Sequence, residues 1–99
     1  MAFPAPVQKD MGVALYVVQL GEMPRSAKPL KGFGSGVYEL VENDRAGTFR
    51  AVFALQIGNA VHVLHAFQKK SKSGIATPKA ELDLARARLK ALLARHKEG

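Results

Sequence analysis

The chain has 99 residues, 15 Lys plus Arg against 8 Asp plus Glu, and a formal net charge of +7. At this length one domain with a small core is expected, and a hydrophobic content of 47% excludes wholesale disorder. With no cysteine, there is no disulfide framework, thiolate nucleophile or zinc–thiolate site.

Pro4 and Pro6 open a segment in which Val7, Met11, Ala14, Leu15 and Val18 recur at helical spacing. Val13, Tyr16, Val17 and Val18 would also suit a strand. The periodicity favours a helix, stopped at Gly21 with Pro24 just beyond. Residues 22–36 are rich in Pro, Gly and basic side chains without periodicity, and read as loop.

Three antiparallel strands follow, Val37–Glu42, Thr48–Ile57 and Ala60–Phe67, with turns at Asn43–Gly47 and Gly58–Asn59. On the middle strand Phe49, Ala51, Phe53, Leu55 and Ile57 share one face. Arg50 sits mid-strand on the other, less apolar face. Strict alternation sends His62 and His65 of the third strand to opposite faces. No carboxylates or thiolates accompany them or His96 at ligand spacing, so neither a metal nor a cofactor is expected.

After a basic loop (KKSKSG, residues 69–74), Thr77 is the expected N-cap of a last helix, with Pro78 at its first position. The helix runs to about His96. Leu82, Ala85, Leu89, Leu92 and Leu93 form its core stripe, within an arc of roughly 100°. Lys79, Arg86, Lys90 and Lys97 stack beside that stripe within roughly 20° of one another. Residues 1–67 hold six basic and five acidic side chains, whereas residues 68–99 hold nine and three. A net charge of +6 on the last third points to a polyanionic partner.

The N-terminus (MAFPAPVQKDMG) lacks the pattern of a secretory signal, and no apolar run approaches the roughly 20 residues of a membrane span. A soluble, cytoplasmic protein without a membrane partner is expected. There is no GxxxxGK[ST], no GxGxxG after a strand and no GxSxG, which removes nucleotide-binding and hydrolase-elbow readings.

KPLKGFGSGVYEL (residues 28–40), GTFRAVF (47–53) and above all LHAFQKKSKSGIATPKAELDLARARL (64–89) resemble the phage-derived Gp49-like, HigB-type branch of the RelE/ParE toxin superfamily. The resemblance covers about residues 8–93. It implies a single α+β domain over residues 1–99, frayed at 1–6 and 97–99, with an N-terminal helix, a three-stranded antiparallel sheet and a C-terminal helix. It also implies a type II toxin, a metal-independent, ribosome-dependent endoribonuclease that cuts mRNA. The implied partners are a helix-turn-helix antitoxin, mRNA on the ribosome, and operator DNA only through the antitoxin. Two departures stand out. Family members carry an additional N-terminal strand, so one sheet edge is expected to be unpaired here. Val41 also stands where the family often has a basic residue, and the RelE branch of the superfamily places lysines around Glu39 and Val41.

RNA cleavage by attack of the 2′-hydroxyl needs a base, cations for the phosphorane and an acid for the 5′ oxygen. Arg50, Lys69 and Lys70 match the basic positions of the family's site, and Arg50 is assigned to the phosphate, whose oxygens a planar guanidinium can hold in pairs. His65 is the expected acid or base, because imidazole exchanges protons near neutrality. Glu39 is the other base candidate, and Tyr38 is placed to stack on a nucleobase. Lys72, Lys79, Arg86, Lys90 and Lys97 are assigned to RNA or antitoxin binding. Structural alternatives stand beside these roles: a packed His65, a cross-strand Glu39–Arg50 ion pair, a core Tyr38 and solvated lysines. Two other functions stay open, a degenerate module that binds antitoxin only and a ParE-like gyrase inhibitor.

Overall fold

The computed structural model describes residues 3–58, 60–69 and 77–98, without the side chains of 56, 97 and 98. Six elements follow in order: α1 Ala5–Gln19, β1 Ala27–Pro29, β2 Val37–Asp44, β3 Gly47–Ile57, β4 Ala60–Lys69 and α2 Lys79–Glu98. The sheet is antiparallel in the order β1-β2-β3-β4. It has four strands where the sequence pattern suggests three. The additional β1 lies in the segment read as loop, and its register pairs Ala27 with Leu40 and Pro29 with Tyr38. A strand of three residues ending in proline carries no periodicity to read. Proline fits there because β1 is an edge strand, where a missing N–H costs no ladder bond.

Residue alternation on β3 divides the core into two layers. Leu40, Phe49, Ala51 and Phe53 bury against Val7, Met11, Ala14 and Val18 of α1. Val37, Val52, Ala54, Leu64 and Phe67 bury against Ala85 of α2, with Leu82, Leu89 and Leu92 packed at the margin. Each helix therefore covers one face of the sheet. The ring of Phe3 lies 4.8 Å from that of Phe49, which ties the start of α1 to its layer.

α1 ends as its sequence suggests. The Gly21 N–H bonds to the Val18 carbonyl and the Glu22 N–H to that of Val17, the paired pattern of a Schellman stop, and Gly21 has φ +92°. No atom lies within 4 Å of where a Cβ would sit, so a side chain here meets conformational cost alone. Gly21→Ala is expected to cost about 1–2 kcal/mol, read as a lower urea midpoint at unchanged slope.

The β3–β4 pairing departs from strict alternation. Val52 pairs with His65 but Phe53 with Val63, so Leu64 is an inserted residue, a β-bulge. A second irregularity between Ala54 and Ile57 moves Ile57 from the α1 layer to the α2 layer. The bulge corrects the expectation for the histidines. His62 pairs with Ala54 and His65 with Val52, so both belong to the α2 face. α2 begins later than expected as well: the Pro78 carbonyl accepts from the N–H groups of Glu81 and Leu82, and the Thr77 hydroxyl is used elsewhere.

Candidate functional site

The α2 face of the sheet holds the titratable side chains that the sequence singles out. Register places Glu39, Val52 and His65 in one row across β2, β3 and β4, and Val41, Arg50 and Phe67 in the next. Lys69 follows one row further, half-buried, opposite Thr48. This face is therefore polar toward one end of the sheet and apolar toward the other.

Arg50 and Glu39 form a buried ion pair. Arg50 Nη1 donates to Glu39 Oε1 at 2.5 Å, and the two side chains are only 9% and 6% exposed. The partners are diagonal across β2 and β3, since Arg50 stands opposite Val41 and Glu39 opposite Val52. The Thr77 hydroxyl donates to the second carboxylate oxygen at 2.7 Å. That bond fastens the approach to α2 onto the sheet. Glu39 neutralises Arg50, and the pair is largely closed to solvent.

His65 is held more openly. Its Nε2 lies 2.5 Å from Glu81 Oε2, and Arg88 Nη1 lies 2.9 Å from its Nδ1. A guanidinium can only donate, so Nδ1 accepts and the Nε2–H donates to Glu81, which fixes the neutral tautomer of this arrangement. The same Arg88 nitrogen donates to the Leu64 carbonyl at 3.0 Å, so the bulge and the imidazole share one guanidinium. Phe67 stacks beneath the ring at 5.4 Å. Glu81 is 31% exposed against 12% for His65, so solvent reaches this cluster from the carboxylate side.

Sequence reasoning missed Glu81 and Arg88. Their signal was present: positions 81 and 88 are seven residues apart, roughly 20° from the same helical face, beside the core stripe. Pairing them with His65 required the docking of α2 beside β4, which no pattern in VHVLHAF marks.

The other assigned residues do not converge on His65. Lys79 pairs with Asp83 at 2.8 Å on the surface of α2. The Arg86 guanidinium lies 4.3 Å from the Phe33 ring centre and donates to the Gly32 carbonyl, pinning the loop ahead of β2. The stripe of four cations is thus interrupted by local bonds at its first two members. Lys90 is exposed, while the side chain of Lys97, and Lys70 and Lys72 altogether, lie outside the described residues. Tyr38 packs on Phe53, ring centres 5.7 Å apart, on the α1 side of the sheet, away from the Glu39–Arg50 pair. Among the described residues no three His, Asp or Glu side chains gather as metal ligands, and no helix is long and apolar enough to cross a membrane.

Residues 1–90 match the model of a family described as Phage derived protein Gp49-like (DUF891). The chain belongs to the Gp49-like family. This is a RelE-like toxin family, usually part of toxin–antitoxin modules. No curated protein and no solved structure matches the chain. In this Gp49-like protein the match takes in every residue of the two polar clusters on the α2 face and ends before the last turns of α2.

Proposed function

We propose that this Gp49-like protein is a HigB-type toxin that cleaves mRNA through His65. The observation that carries this reading is the His65–Glu81–Arg88 cluster: an imidazole fixed in one tautomer by a carboxylate and touched by a guanidinium, in a family of toxins.

The chemistry follows from that geometry. Arg88 is drawn to the non-bridging oxygens of a bound phosphate, which it can hold in a bidentate fork. Its departure uncovers the Nδ1 lone pair of His65. Nδ1 then takes the proton of the ribose 2′-hydroxyl as that oxygen attacks phosphorus, and Glu81 stabilises the resulting imidazolium. The bond to the 5′ oxygen breaks, and water protonates the leaving alkoxide. The products are a 2′,3′-cyclic phosphate and a 5′-hydroxyl end. Lys69 contributes positive charge further along the same face.

Arg50 has a structural part in this mechanism, because its guanidinium is committed to Glu39 in a largely water-free setting. The same pair favours a second reading, a module that retains antitoxin binding without catalysis. Induced expression separates the two. The nuclease reading expects growth arrest, rescue by a helix-turn-helix antitoxin, and new cyclic-phosphate ends on mRNA, with ribosomes required. Normal growth with abundant folded protein would contradict it and support the binding module.

A further inference from the structure

α2 carries a second basic row that the sequence stripe conceals. Arg88 and Arg95 are seven residues apart and share a face, on the opposite flank of the core stripe from Lys79, Arg86 and Lys90 at about 100° per residue. Between this flank and β4 lies an open groove of about 380 Å³. His62 and Leu64 line it from the strand, and Arg88, Ala91, Leu92 and Arg95 from the helix. Ala91 keeps the middle wide. None of the groove's lining residues is acidic. Arg95 is exposed and, among the described residues, has no hydrogen-bond or ion-pair partner.

Two features select the ligand. β4 is the last strand in the order, so a peptide adding to its edge is the obvious competitor. However, Leu64 is bulged out of register, and Arg88 already occupies its carbonyl. A regular ladder cannot run past that point. What the groove offers instead is two guanidinium groups about 10 Å apart along the helix, each able to hold phosphate oxygens in pairs. Arg88 belongs both to the groove and to the His65 cluster, so the groove opens directly onto the proposed reacting group.

We propose that this groove binds the phosphate backbone of single-stranded RNA through Arg88 and Arg95 and leads it to His65. The proposal deepens the nuclease reading and rests on it for the choice of polyanion. Arg95 lies beyond the residues that the family model matches.

The test is binding of the full-length protein to fluorescein-labelled oligouridylate, followed by anisotropy across a salt series. Arg95→Glu is expected to weaken binding more than tenfold, and Arg95→Gln to lower the log–log salt slope by about 0.7, the share of one phosphate contact on a single strand. Lys90→Glu, on the other flank, is expected to have a much smaller effect. Circular dichroism melts confirm that each variant folds. Arg95-dependent binding without any cleavage leaves the groove standing and removes the nuclease. Cleavage with binding indifferent to Arg95 removes the groove and leaves the nuclease. Arg95-dependent binding of polyglutamate by a protein that does not bind oligouridylate overturns the proposal in favour of an acidic polypeptide partner.

Discussion

Arg50→Ala is expected to destabilise the fold by about 3–5 kcal/mol, the usual cost of removing one partner from a buried ion pair. The substitution leaves the Glu39 carboxylate buried, with the Thr77 hydroxyl as its one remaining donor among the described residues. It also opens a void between Val41 and Phe67, the neighbours of Arg50 in its row. Against a typical total stability of about 5–15 kcal/mol this is a large fraction. It corresponds to about 4–8 °C of melting temperature per kcal/mol for a domain of this size. Replacing both partners, with Arg50→Met and Glu39→Leu, removes the charges together and is expected to be near neutral or stabilising. Thermal melts of the two single variants and the double variant check this. A normal melting temperature for Arg50→Ala would mean that the pair does not hold the sheet.

His65→Ala is expected to lower RNA cleavage by about 10²–10⁴, the range for loss of a positioned proton-transfer group. The effect is measured per folded molecule, because the ring also packs on Phe67. Glu81→Gln is expected to cost less. Its amide oxygen can still accept the Nε2–H, but it loses the charge that stabilises the imidazolium. Antitoxin binding is expected to survive both changes, since neither alters the exposed cations of α2. Equal cleavage by His65→Ala and wild type would remove the imidazole from the mechanism.

The elements with a strong period or a specific stop were legible in the sequence. Val7, Met11, Ala14 and Val18 announced α1, Gly21 its end, and the turn glycines the two hairpins. β1 was not legible, because three residues ending in proline have no pattern and become a strand only by pairing with β2. The site was half legible. Residue type and resemblance point to Glu39, Arg50 and His65, and all three fall on one face of the sheet. Their partners were not legible. Thr77 looked like a helix cap, yet its hydroxyl bonds a carboxylate 38 positions away in sequence. Glu81 and Arg88 reach His65 only because α2 docks beside β4. Long-range pairing decided each of these, and local propensity carries no information about it. The same pairing gives the charge of Arg50 a partner inside the protein.

In the proposed mechanism His65 performs the chemistry while Arg50 holds the fold, a division of labour open to direct measurement. The decisive comparison is cleavage of one mRNA, in a translating extract, by His65→Ala and by the Arg50→Met, Glu39→Leu double variant at equal folded concentration. The double variant is expected to cleave at a rate close to wild type and leave 2′,3′-cyclic phosphate ends, while His65→Ala leaves the message intact. A folded double variant that has lost cleavage, beside an active His65→Ala, would contradict this division and return the phosphate to Arg50.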